Sequence, residues 1–283
     1  MPLSAAMGTH AIRTYIGCLD KLNLYQKEKP YEFRFTTEGE GPRKNLHVSD
    51  HEIIVEDVRP QKDMLSLDRN GFLVLDIDVD MLPDEFSDRD TIISNYIPYI
   101  ADAVQRRLAA KHVQVHDYLV RKSDASFPIS TGAPYQFEQP SMLLHIDSTP
   151  EATAKLVRDM NDDLDDLMER RCQYVTVWRP LKGPVRRWPM TLCDNRTVMA
   201  GQDLAARDMI YLEGTVVETH LAHFSSSYKF CYLSDQMPNE AWVMLQSDSQ
   251  GLTGVPHCSF NNPEVEPDDP QRESIEIRML VYY

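Results

Sequence analysis

A mainly β protein with two flanking helices is the fold class the sequence predicts, on three observations. Beyond Arg171 the chain breaks into short apolar or aromatic runs, CQYVTVWRPL, DMIYLEG, SSYKFCYLSD, EAWVMLQSDS and ESIEIRMLVYY, separated by Pro, Gly and Asp. Many short strands at fairly regular spacing suit a sandwich or barrel. Before that point, HVQVHDYLVRK (112–122) alternates apolar and polar residues as a strand does, and only two stretches keep a helical period.

Residues 1–60 are polar and punctuated (QKEKPYEF, EGEGPRKNL) and read as a wrapping N-terminal arm, not a core. DMLSLDRNGFLVLDIDVD then offers a turn at Arg69-Asn70-Gly71 leading into an apolar strand. Across 88–110, Ile92, Ile93, Tyr96, Ile100, Val104 and Leu108 hold nearly helical spacing with Pro98 inside, predicting one kinked helix. After the 112–122 strand, SDASFPISTGAP is a loop leading back to SMLLHIDSTP (141–150), placed to cover a site there. A second helix is expected over 150–170, with Thr149 as N-cap, Pro150 at the first helical position and a stripe of Leu156, Val157, Met160, Leu164, Leu167 and Met168. No repeat of 20–50 residues is visible, and the expectation is a single domain over 1–283, an arm at 1–60 on a core at 61–283.

A chain of 283 residues can bury a substantial core. Its net charge of −15 repels phosphate backbones, and no basic stripe with interleaved aromatics is present, so nucleic acid is a poor partner. Acid is concentrated in DMNDDLDDLMER (159–170), the solvated face of a helix. Five cysteines, an odd number without CxxC spacing, indicate neither a disulfide framework nor a zinc cluster, and point to a reducing compartment. No stretch approaches 18 apolar residues, so no membrane span is expected and the protein reads as cytoplasmic. The polar arm allows a homodimer without demanding one.

The chemistry starts at SMLLHIDSTP (141–150), where His145 and Asp147 end a short apolar run. In a strand, residues i and i+2 look the same way, so the pair is either a polar sheet edge or part of a metal site. Chance alone supplies roughly one His-x-acid in a chain of this composition, so the pair needs a third ligand to mean anything. His220 and His223 in VVETHLAHF and His257 in GVPHCSF follow it in the chain. A jelly roll lays an early strand beside its penultimate one, and His257 fits that placement, with His223 as competitor. Cys258 should then point away from His257. Downstream, Arg272 and Ser274 form another i, i+2 pair that can grip a carboxylate, although Arg278 satisfies the same parity. Two imidazoles and one carboxylate leave coordination positions open for a 2-oxo acid and O₂, and the order His-x-Asp, distal His, Arg-x-Ser suits an iron and 2-oxoglutarate site. Trp178, Arg179 and Tyr228, with Arg278, are candidate lining for a substrate pocket.

The blocks HIDSTP, VWRPLKGPVRRWPMTLCD, LSDQMPNEAWVMLQSDS, VPHCSF and RESIEIRMLVYY resemble the fungal hydroxylase/desaturase family of non-haem iron oxygenases, which includes gibberellin desaturase and relatives of the cephamycin 7-alpha-methoxylase subunit. The likeness runs from about Gly39 to the C-terminus. It implies a double-stranded β-helix (jelly-roll, cupin-like) core, Fe(II) held by His145, Asp147 and His257, and 2-oxoglutarate as cosubstrate at Arg272 and Ser274. It also implies a dioxygenase of secondary metabolism that hydroxylates, desaturates or cyclises a small molecule with O₂. The chain departs from the family at Thr176, where Asn is frequent, at Arg186-Arg187, where an acidic residue is frequent, and at Tyr228 to Tyr232, where a His-x-Trp-Tyr-Tyr block is frequent. Those departures point to altered substrate chemistry. The alternatives are an iron-dependent oxidative cyclase or isomerase that does not use 2-oxoglutarate, and a non-catalytic jelly-roll binder.

Overall fold

The computed structural model describes residues 10–35, 39, 41–129, 135–161 and 170–283. The apolar runs of the C-terminal half become strands β7 (Cys172–Pro180), β8 (Met190–Cys193), β9 (Leu204–Ile210), β10 (Val216–Ala222), β11 (Phe230–Tyr232), β12 (Glu240–Asp248), β13 (His257–Ser259) and β14 (Glu273–Tyr282). The N-terminal half adds β1 (Ala11–Leu19), β2 (Tyr31–Phe33), β3 (Val48–Asp57), β4 (Phe72–Asp76), β5 (His112–Lys122) and the two-residue β6 (His145–Ile146). They assemble into a nine-stranded sheet, β1-β3-β11-β8-β13-β6-β10-β9-β2, and a five-stranded sheet, β4-β12-β7-β14-β5.

The five-stranded sheet explains the continuous apolar look of its sequence: every residue of β7 and β12 is buried, so both faces are covered. Val175, Val177, Ile275, Ile277 and Met279 pack with Tyr96, Ile100 and Val104 of the covering helix in the largest core cluster. The residues between them, Thr176 and Trp178 on β7 and Ser274, Glu276 and Arg278 on β14, therefore face inward. The kinked helix expected over 88–110 is α2 (Arg89–Thr91), a π turn over Ile92–Tyr96, and α3 (Ile97–Leu108). A widened turn just before Pro98 accommodates a residue that cannot donate a backbone hydrogen bond. The Arg69-Asn70-Gly71 turn is also present: the one-turn helix α1 (Leu67–Asn70) ends on Gly71 at φ +80°, where a Cβ would lie 2.4 Å from Val255.

The N-terminal segment differs from the arm expected of it. β1 and β3 pair over nine residues, and Ile12, Ile16, Cys18, Ile53 and Val55 build a second core with Phe230, Cys258 and Phe260 on the outer side of the larger sheet. The reason is visible in AIRTYIGCL, where alternate residues from Ile12 are buried, all but Thr14 apolar, although the flanking stretches are polar. Helix α4 (Pro150–Met160) starts as expected, the Thr149 hydroxyl accepting from the Ala152 N–H. Residues 162–169, with Leu164, Leu167, Met168 and most of the acidic run, and residues 130–134 of the expected covering loop lie outside the described residues. Among the described residues no helix is long and apolar enough to cross a membrane.

Candidate metal centre

β6 and β13 run antiparallel with His145 directly opposite His257. Directly opposed residues project from the same face, so this register alone brings together two imidazoles more than a hundred positions apart in sequence. Their ring centroids are 4.6 Å apart with planes tilted 45°. Asp147, two residues beyond His145, turns its carboxylate between them: Oδ1 lies 3.5 Å from His145 Nε2 and 3.8 Å from His257 Nε2. The three ligand-capable atoms all sit within 4.8 Å of one another.

Each imidazole is oriented by the carbonyl two residues before it. His145 Nδ1 bonds Leu143 O at 2.7 Å and His257 Nδ1 bonds Val255 O at 2.9 Å. A carbonyl only accepts, so both Nδ1 atoms carry the proton and both Nε2 lone pairs point at the shared space. The carboxylate is divided in the same way. Asp147 Oδ2 accepts from Thr176 Oγ1 at 2.8 Å and faces Arg278 Nε at 3.7 Å, while its backbone N–H donates to Gln246 Oε1 at 2.8 Å, leaving Oδ1 toward the imidazoles. Burial by itself would raise the Asp147 pKa; His145, Arg278 and His257 outweigh it and hold the carboxyl well below the usual range. Burial and the neighbouring His145 push His257 down, which favours the neutral, ligating form. The spacing exceeds a direct hydrogen bond and approaches what two ligand bonds of about 2.1 Å to one ion subtend. Two neutral imidazoles and one carboxylate on one face fit ferrous iron with open positions.

Arg272 and Arg278 share the inner face of β14 and its approach, yet their surroundings differ. Arg278 faces three carboxylates: Asp117 at 2.6 Å, Asp147 at 3.7 Å and Glu276 in close contact. Arg272 is 3% exposed and donates from Nη1 to Trp188 O at 2.8 Å and Ser259 Oγ at 2.6 Å, with its guanidinium 5.5 Å over the Trp178 ring. Its Nε and the Ser274 hydroxyl are buried without a hydrogen-bond partner, and among the described residues it makes no ion pair. Burial, with Arg121 nearby, disfavours its charged form. A buried guanidinium with no counter-ion and a free Nε, beside an unpartnered hydroxyl, is the signature of a missing anionic acceptor.

Of the other candidates, Trp178 lies on the inner face against Arg272, but two residues do not meet the centre. Arg179, next to Trp178 in a strand, projects to the opposite side and rests over Phe86 at 5.1 Å and Tyr96 at 5.0 Å beneath the helices. Tyr228 belongs to the outer core, edge-on to Phe230 at 5.8 Å, on the side of the sheet that His257 does not face. His223 Nδ1 bonds Leu19 O, and His220 is opposite Ile146, so neither joins the cluster. Cys258 points away from His257 as expected, into the outer core. Gln246 carried no signal in the sequence, and Thr176 stood out only as a departure from the family pattern. A cavity of ≈ 660 Å³ opens between α4 and residues 249–254 and includes Gln246 but none of the three ligand-capable side chains.

The chain is similar to known proteins over most of its length. The family model described as YDMC, Oxidoreductase/YMDC permease-like domain, matches residues 21–282. The chain is 32% identical over 263 residues to the Fe(II)/2-oxoglutarate-dependent dioxygenase nvfI of Aspergillus novofumigatus, covering 90% of this chain and 91% of that protein. It is 28% identical over 259 residues to the hydroxylase/desaturase efuI of Hormonema carpetanum, covering 82% and 83%. The solved structure of the iron and alpha-ketoglutarate-dependent endoperoxidase NvfI aligns with a TM-score of 0.84 over 96% of this chain and 98% of that one, at 26% identity. The jelly-roll architecture is common to both.

Proposed function

Because the chain belongs to the fungal Fe(II)/2-oxoglutarate-dependent dioxygenases, we propose that His145, Asp147 and His257 hold its ferrous ion and that Arg272, with Ser274, holds the far carboxylate of 2-oxoglutarate. The substrate on this reading is a small natural product. The observation that carries the ligand assignment is the pair of Nδ1–carbonyl bonds, which aims both Nε2 lone pairs at Asp147 Oδ1. The clamp assignment is supported by the unpartnered Arg272 Nε and Ser274 Oγ, whereas Arg278 already has three carboxylates to answer. An oxidative cyclase that dispenses with 2-oxoglutarate would use Arg272 for a substrate carboxylate instead, and succinate formation separates the two readings.

When bound, the iron supplies the activation of O₂ that couples oxidation of 2-oxoglutarate to succinate and CO₂ with oxidation of the substrate. The protein's own part is positional. Thr176 and Arg278 hold Asp147 Oδ2 so that one oxygen is presented, and the Leu143 and Val255 carbonyls keep both imidazoles in one tautomer. Arg272, desolvated against Trp178, offers a bidentate fork at low dielectric. The five cysteines are free and buried, in keeping with a reducing, cytoplasmic location. Homodimerisation is an expectation that light scattering reads directly.

Anaerobic titration with Fe(II) and 2-oxoglutarate tests the assignment through the weak visible charge-transfer band of the complex. The band should form in the wild type and be absent in His145→Ala; a full band in that variant would refute the ligand set. Oxygen should then yield succinate stoichiometric with the oxidised substrate.

A further inference from the structure

Arg207 belongs to none of the motifs above, yet it reaches the same interior. On β9 it lies directly opposite Thr219 of β10, and Leu221, two residues from Thr219, is opposite His145. Opposed residues share a face and i, i+2 neighbours repeat it, so Arg207 projects from the face that bears His145, two strands away. Its side chain is 8% exposed. Nε donates to Thr219 Oγ1 at 3.2 Å, Nη2 meets only the Met209 thioether sulfur at 3.1 Å, and Nη1 reaches Glu32 Oε2 at 3.5 Å.

A thioether is a weak acceptor and 3.5 Å is the outer limit of a hydrogen bond. The two terminal nitrogens of this buried fork thus lack a partner of ordinary strength. By contrast Arg278, on the inner face of β14, has carboxylate contacts at 2.6 Å and shorter. Arg272 lies beside β14 in the five-stranded sheet and Arg207 lies in the nine-stranded one, so 2-oxoglutarate at the first leaves the second free. Burial lowers the Arg207 pKa while Glu32 and Asp147 counteract it, and the ion pair it makes, with Glu32, is a long one at 3.5 Å.

We infer that Arg207 anchors a carboxylate of the substrate, making this enzyme selective for a carboxylic acid over its neutral ester. The inference rests on the metal-centre reading above, which sets where the substrate must sit. A carboxylate displaces the sulfur contact and accepts from Nη1 and Nη2 in parallel, fixing the substrate by two bonds. Thr219 holds Nε and thereby the plane of the fork.

The test uses the enzyme loaded anaerobically with Fe(II) and saturating 2-oxoglutarate, so that the Arg272 site is filled, and calorimetric titration with 2-naphthoate and methyl 2-naphthoate. The wild type should bind the acid about tenfold or more tightly than the ester, and Arg207→Met should bring the ratio to about one with the visible band unchanged. Arg207→Lys, which keeps the charge but not the fork, should retain part of the preference and serves if the Met variant does not fold. Failure of the acid to bind the wild type, a ratio near one, or a preference that survives both substitutions would overturn the anchor role. Loss of the band in the wild type would strike the metal-centre reading; an intact band without acid preference strikes Arg207 alone.

Discussion

Arg272 and Arg278 stand six residues apart on one face of the same chain segment, and strand parity alone does not separate them. In the folded protein they are opposites. Around Arg278 the strands bring Asp117 of β5, Glu276 of β14 and Asp147 beyond β6 to one guanidinium, and Arg121 bonds both oxygens of Glu276. Around Arg272 the surroundings are the Trp188 carbonyl, the Ser259 hydroxyl of β13 and the Trp178 ring of β7, and among the described residues no carboxylate pairs with it. A charge enclosed with counter-charges is part of the architecture; one enclosed without them is held for something that arrives later. The desolvation cost is met within the protein at the first and, on the proposed reading, by 2-oxoglutarate at the second.

Removing the neutralised cation gives the largest effect. Arg278→Met leaves Asp147 buried without its cation and Glu276 with Arg121 alone, and the apo protein should lose about 3–5 kcal/mol in a denaturant titration. A loss under about 1 kcal/mol would mean that the carboxylates find other partners and that the contrast is false. Arg272→Met should do the reverse. Apo stability should be unchanged or higher, because a buried unpaired charge has gone, while 2-oxoglutarate binding weakens by about 30-fold or more, equivalent to about 2 kcal/mol. Calorimetry on the anaerobic Fe(II) enzyme separates the two outcomes.

The smallest effect lies where the pairing reaches solvent. Glu240 is held by Arg59, by the Met237 N–H and by Lys62, which overcome the opposing effect of burial and depress its pKa from 4.5 to about 2. A depressed folded value means that the contribution is fully present above about pH 4.5 and is lost as pH falls from there toward 2. Arg59 is 34% exposed and Lys62 24%, so screening limits the contribution to on the order of 1 kcal/mol. Glu240→Gln should flatten that part of the stability curve; an identical acid limb in the variant would assign the effect to other carboxylates.

What could be read early followed from local rules. The i, i+2 placement of His145 and Asp147, the Thr149 cap with Pro150, and the turn before β4 each depend on neighbours within a few residues. The same rule, applied strictly, separates Trp178 from Arg179, since adjacent strand residues cannot line one pocket. It also shows AIRTYIGCL to be a half-buried strand and not part of a polar arm. Tyr228 had no such signal: it lies just before a three-residue strand, and its side was decided by Phe230 and Cys258 from other segments.

By itself the amino-acid sequence determined the kinds of side chain available, their order, and which of them share a strand face, because backbone geometry repeats every two residues whatever the tertiary setting. Only the tertiary structure decided which histidine stands opposite His145, that Thr176 and Arg278 attend the second oxygen of Asp147, and that one arginine is surrounded by carboxylates while another is not. Those choices belong to strand order and register between segments 30 to more than 100 residues apart. They are fixed by which faces bury together, not by any residue's own preference.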